Sequence, residues 1–192
     1  SLVNRDPSGS IFLSPQGSIT NTSLNTGSLE TSGIDVNATY RTELDRFGFS
    51  NAGGISFSLV GTYLDKLETV SLPGDEPYDC KGLYGTICGT PNPEWRHKAR
   101  LTWTTPFSYG DWLNDFRVSA QWRYFSSVIL DAYDSDPQLV NAGLQSETDR
   151  KLPSRSYLDL TANWTMRDNV NFNLGVNNVL DKDPPLVGSS AC

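Results

Sequence analysis

Cys80 and Cys88 bracket the segment Lys81-Gly-Leu-Tyr-Gly-Thr-Ile87. Two thiols this close in an external, oxidising loop are expected to close a local disulfide. So small a ring would restrain its loop by about 2–3 kcal/mol in the entropic account. A metal site competes poorly, because no second pair of ligands lies nearby. Cys192 is left over and is expected to find its partner outside this chain. His97 is the only histidine, so a hydrolytic triad would have to use it. No Gly-x-Ser-x-Gly elbow surrounds any serine, so His97 reads as a solvated or interfacial histidine and no catalytic residue is assigned. Asp131, Asp134 and Asp136 form one acidic segment, and Asp181 and Asp183 another. Calcium takes several such oxygens, yet the spacing lacks the glycine and terminal glutamate of an EF-hand, so solvated loops are expected and no metal or cofactor.

The remaining candidates are polar side chains that recur at every second position. Arg41, Arg100, Arg117 and Arg123 fall on one parity of their segments, together with Asp35, Asp159, Asn171, Asn173 and Asn177. Such residues line the lumen of a large barrel. Arg123, high on its strand, is the first candidate to touch a cargo, and Arg–Asp pairs across strands would fix register.

What must position them is a set of strands. In each segment one parity is apolar and the other polar: Ile34, Val36, Ala38 and Tyr40 oppose Asp35, Asn37, Thr39 and Arg41; Phe116, Val118, Ala120, Trp122 and Tyr124 oppose Arg117, Ser119, Gln121 and Arg123. Alternation with period two gives a strand one apolar and one polar face. Six segments do this, at about 28–44, 54–70, 95–105, 113–127, 155–166 and 170–180, and none of comparable length has helical spacing. The chain is therefore expected to be all-β, built of antiparallel amphipathic strands.

The pattern runs for about ten residues in several segments, which suits a tilted strand crossing a bilayer better than the ~5–6 residues common in soluble sheets. The links alternate: 45–54, 106–113 and 167–169 are short, whereas Ser71 to Pro93 and Val128 to Pro153 are long, rich in Gly, Pro and Asp, and expected to be irregular. Short periplasmic turns opposite long external loops mark an outer-membrane barrel. Aromatics lie toward the strand ends, with Trp103, Phe107, Trp112, Phe116, Trp164 and Phe172 near the short turns and Trp95, Tyr124, Phe125 and Tyr157 near the long loops. They are expected to form the two interfacial girdles. No run approaches the ~18 apolar residues of a membrane helix. A formal net charge of −7 excludes a nucleic-acid partner.

A family resemblance enters through Gly175-Val-Asn-Asn-Val-Leu-Asp-Lys-Asp-Pro-Pro185, Gly27-Ser-Leu-Glu-Thr-Ser-Gly-Ile-Asp35 and Asn92-Pro-Glu-Trp-Arg-His97. These stretches resemble late strands of TonB-dependent outer-membrane receptors. The resemblance implies a section of a 22-stranded transmembrane barrel over residues 1–192, without the plug domain and the last strand. It also implies a non-enzymatic receptor that imports a siderophore, haem, cobalamin or glycan class of nutrient. The partners implied are outer-membrane lipid, a small-molecule or glycan cargo, and the plug and TonB system through other parts of the parent, at the bacterial outer membrane. The competing reading is a soluble secreted β-sandwich that binds ligands or glycans through its long loops, in which the apolar residues would meet across two packed sheets.

Overall fold

The computed structural model describes residues 3–11, 17–19, 27–110, 112–139, 147–167 and 169–187. Among them the strands are β1 Val3–Asn4, β2 Ser18–Ile19, β3 Ser28–Glu43, β4 Gly54–Val70, β5 Tyr78–Asp79, β6 Leu83–Tyr84, β7 Trp95–Thr104, β8 Asn114–Phe125, β9 Val128–Leu130, β10 Lys151–Leu152, β11 Arg155–Met166 and β12 Val170–Val176. The six long strands follow the six alternating segments, except that the last stops at Val176 rather than near 180, because the chain turns at Asn178, φ 53°. They form one antiparallel sheet in the order β12-β11-β8-β7-β4-β3, and β5 pairs with the far end of β4. Every long strand thus lies beside its neighbour in sequence.

Register carries the alternation across the whole sheet. Tyr40, Phe57, Leu101, Ala120, Leu160 and Val176 stand opposite one another in one row, and Thr42, Ile55, Trp103, Val118, Ala162 and Leu174 form the next. Directly opposed residues share a face, so one face of the sheet is apolar from β3 to β12. No second sheet covers it among the described residues. Ile34 is 61% exposed, Leu101 48% and Leu174 62%. This overturns the sandwich reading, which requires these side chains to pack against one another across two layers.

Aromatic side chains close both ends of the apolar face. At the short-turn end the Trp103 indole donates to the Ala52 carbonyl at 2.8 Å, its ring meets Phe107 edge-on at 6.0 Å, and Trp164 stacks on Phe172 at 5.2 Å. At the loop end Trp95, His97, Trp122 and Tyr124 cluster. The Trp95 indole donates to His97 Nδ1 at 2.8 Å, and the His97 ring lies 4.5 Å from Trp122 and 5.4 Å from Tyr124. Trp95 lies against the wall because Gly61 beneath it has no side chain; a Cβ there would sit 2.7 Å from the ring. Two expected girdle members belong elsewhere. Phe125 pairs with Arg96 and Arg155, and Tyr157 with Arg123, so both point to the polar face.

Beyond this aromatic row the apolar face stops. One extra residue in β4 shifts its register against β3 between Ser32 and Gly33. Past the bulge the same face carries Glu30, Ser32, Lys66 and Glu68. Lys66 pairs with Glu68 at 2.7 Å and Glu30 at 3.4 Å, and the hydrogen bond it donates to Glu68 holds its ammonium above the usual lysine range.

Among the described residues, the two long links carry short strands where irregular loops were expected. They meet as a small module in which β6 runs parallel to β9 and β10 antiparallel to it. Tyr84, Val128, Leu130 and Leu152 form its core, and Leu130 is 0% exposed. Buried apolar side chains therefore collect in the loops rather than in the wall.

Candidate functional site

The polar face is built by the same register. Arg41, Arg100, Arg117, Arg123 and Asp159 all lie on it. Three rows at its loop end are Thr39, Ser58, Arg100, Gln121 and Asp159; then Asn37, Val60, Lys98, Arg123 and Tyr157; then Asp35, Thr62, Arg96, Phe125 and Arg155. Arg41 falls one row nearer the short turns, opposite Ser56, and Arg117 a further row along, opposite Thr104. The structure therefore brings Arg100, Arg123 and Asp159 together and leaves Arg41 and Arg117 apart.

Asp159 is the hub of this group. It is 6% exposed, and Arg123 grips it with two bonds, Nε to Oδ2 at 2.7 Å and a terminal nitrogen to Oδ1 at 2.9 Å. Gln121 donates to Oδ2 at 3.5 Å and itself accepts from Arg100 at 2.7 Å. Paired charged hydrogen bonds of this fork geometry are the strong ones. The Arg123 guanidinium also lies 5.3 Å from the Tyr157 ring centre. Two of the five N–H donors of Arg123 are thus engaged by Asp159, while its side chain stays 31% exposed.

The fourth hydrogen bond to Asp159 explains the motif after β12. The backbone N–H of Asn178 donates to Asp159 Oδ1 at 2.9 Å. Asn178 takes a left-handed conformation, φ 53°, which asparagine tolerates better than most residues. Its amide then clamps Lys182 twice, accepting from the Lys182 N–H and donating to the Lys182 carbonyl, both at 3.0 Å. This fold brings Pro185 back over the polar face. There Pro185 meets Arg96, Phe125, Arg155 and Tyr157 to enclose a cleft of about 290 Å³. Sequence reasoning missed Arg96 and Arg155 because each sits at a strand end; their parity with Arg100 and Asp159 was the available signal.

The disulfide module stands beside this cleft. Cys80 and Cys88 are bonded, with Cα atoms 5.4 Å apart. Asp131 is not solvated as expected: it is 0% exposed, and its Oδ2 accepts the backbone N–H groups of Ile87 and Cys88 at 2.8 and 3.0 Å. Gly85, at φ 141°, makes room for this carboxylate, since a Cβ there would lie 2.2 Å from Oδ1. Among the described residues no cluster of three or more His, Cys, Asp or Glu side chains could hold a metal ion.

No curated protein and no solved structure matches the chain. A family model described as "TonB dependent receptor-like, beta-barrel" matches residues 2–179. The match spans all six long strands and both long links, and with the one-sheet meander it shows that the chain belongs to the TonB-dependent receptor β-barrel family, whose members act in receptor-type transport at the outer membrane.

Proposed function

We propose that this chain is a wall section of an outer-membrane importer for a scarce nutrient of the siderophore, haem, cobalamin or glycan class. In this reading the apolar face meets lipid and the polar face, with Arg41, Arg100, Arg117, Arg123 and Asp159, lines the lumen. The observation that carries it is the six-strand sheet whose apolar side chains stay uncovered while the buried core lies in the loops. Two dimensions support it. From Ile34 to Thr42 is eight residue steps, which at about 3.3 Å each and ~45° tilt rise roughly 19 Å, close to the ~25 Å apolar band of such barrels. Above the Trp95 row the same face turns charged at Glu30, Lys66 and Glu68, as expected where a wall leaves the bilayer for water. The short turns then face the periplasm and the disulfide module faces outward, where oxidising conditions preserve it.

Fractionation of the expressed protein tests the membrane reading. It should be recovered with outer membranes and need detergent for extraction, and Leu101→Arg should sharply reduce that recovery. A detergent-free, monomeric soluble product would end the proposal. The cargo class is tested by uptake of labelled ferric siderophore, haem, cobalamin and oligosaccharide in cells with and without the protein. Loss of uptake of one class is expected, and unchanged uptake of all four would refute import.

A further inference from the structure

We infer that the cleft at the outer end of the polar face binds a small anionic ligand with a planar apolar body, through Arg96 and Arg155. This rests on the lumen assignment just proposed and narrows the cargo from four chemical classes to acidic molecules.

Three observations converge. The first is charge. The chain carries −7 overall, yet this corner of the polar face gathers Arg96, Lys98, Arg123 and Arg155. Its one buried carboxylate, Asp159, is consumed by Arg123. Among the described residues Arg96, Lys98 and Arg155 form no ion pair, and the buried Nε of Arg155 has no hydrogen-bond partner. A guanidinium without an acidic partner is a ready site for an oxyanion, which would pair with the remaining N–H groups of Arg155.

The second is spacing. Phe125 stands directly between Arg96 and Arg155 in one row. Strands lie ~4.8 Å apart, so the two guanidinium-bearing backbones are roughly 10 Å apart with an aromatic ring between them. A planar body resting on Phe125 or Tyr157 would carry an acidic group to either side. Arginine suits this role because its flat fork pairs with carboxylate or phosphate and stacks on rings.

The third is enclosure. Four prolines, Pro91, Pro93, Pro153 and Pro185, stand in the cleft lining beside Val128 and Leu152, rigid and without backbone donors of their own. Two further concavities, of about 340 and 190 Å³, also share Arg96. The Asp159–Asn178–Lys182 clamp holds the Pro185 wall in place, which gives Arg123 and Asp159 a purpose in the site without contact to the ligand.

The experiment is equilibrium dialysis of the whole receptor protein that carries this wall section, in lipid nanodiscs, against empty nanodiscs. The probes are 2-naphthoate, 2-naphthyl phosphate and the uncharged 2-naphthamide. At least one anion should bind ten times more tightly than the amide. Arg96→Gln and Arg155→Gln should each weaken the anion at least fivefold and leave the amide unchanged. Arg46→Gln, in the turn at the opposite end, should behave as the parent. Equal binding of anion and amide, or a preference that survives the double Arg96→Gln/Arg155→Gln change, overturns the inference. Insertion into the nanodisc is scored on the same samples. If the protein does not insert, the membrane reading falls and this inference with it; if it inserts without preferring anions, only this inference falls.

Discussion

At the scale of single residues, two carboxylates organise the loop end, and each can be tested by removal. Asp159→Ala takes away the shared acceptor of Arg123, Gln121 and the Asn178 backbone. Leaving a guanidinium without its partner should cost about 1–3 kcal/mol, at the modest end for a charged pair because the Arg123 side chain is 31% exposed. Unfolding in urea from lipid vesicles measures it. Limited proteolysis should in addition show faster cutting within 181–187, because the Asn178 turn loses its anchor; an unchanged cutting rate would refute the clamp. Asp131 acts on the other module. Asp131→Ala should expose the Gly85–Cys88 segment to protease even with the disulfide intact, since its Oδ2 holds the Ile87 and Cys88 amides. The Arg–Asp pairing of Asp159 was legible from the shared polar parity; its hold on Asn178 and the role of Asp131 were not. Asp131 looked like one of three solvated loop acids, and only the folding of two distant loops onto each other shows that it is buried.

The strand is the scale at which sequence spoke most clearly. Period-two alternation depends only on neighbouring positions, so it survives without knowledge of tertiary contacts, and the six amphipathic segments become one continuous sheet. What alternation cannot show is a change of phase. The extra residue in β4 near Asp65 brings Lys66 and Glu68 onto the face that carries Tyr63, and no local pattern announces it. Phe125 and Tyr157 misled for a related reason: their type suggested a girdle, while their parity placed them with the arginines. Parity also makes a sharp prediction on β3. Ala38→Arg, on the apolar face, should reduce the folding free energy in lipid by about 2–4 kcal/mol, whereas Asn37→Arg, one residue earlier on the polar face, should change it by less than about 1 kcal/mol. Similar losses from both would contradict the two-faced wall.

Across the whole molecule, two kinds of packing coexist. The wall leaves Leu101 and Leu174 uncovered, while the loop module hides Leu130 and Tyr84 completely or nearly so. Sequence pointed to the first kind and not the second, because long links rich in Gly, Pro and Asp carry no periodic signal, and their short strands pair only across distances such as Leu83 to Ile129. The contrast implies a chronology for maturation. The module sequesters its apolar side chains by itself and can form in water; the wall cannot finish until lipid receives its outer surface. Cys80 and Cys88 are separated by only 8 positions, so their bond can close before either event is complete. Pulse-chase labelling with thiol trapping should therefore find the oxidised loop ahead of the heat-modifiable barrel, so that oxidation is the early clock and bilayer insertion the late one.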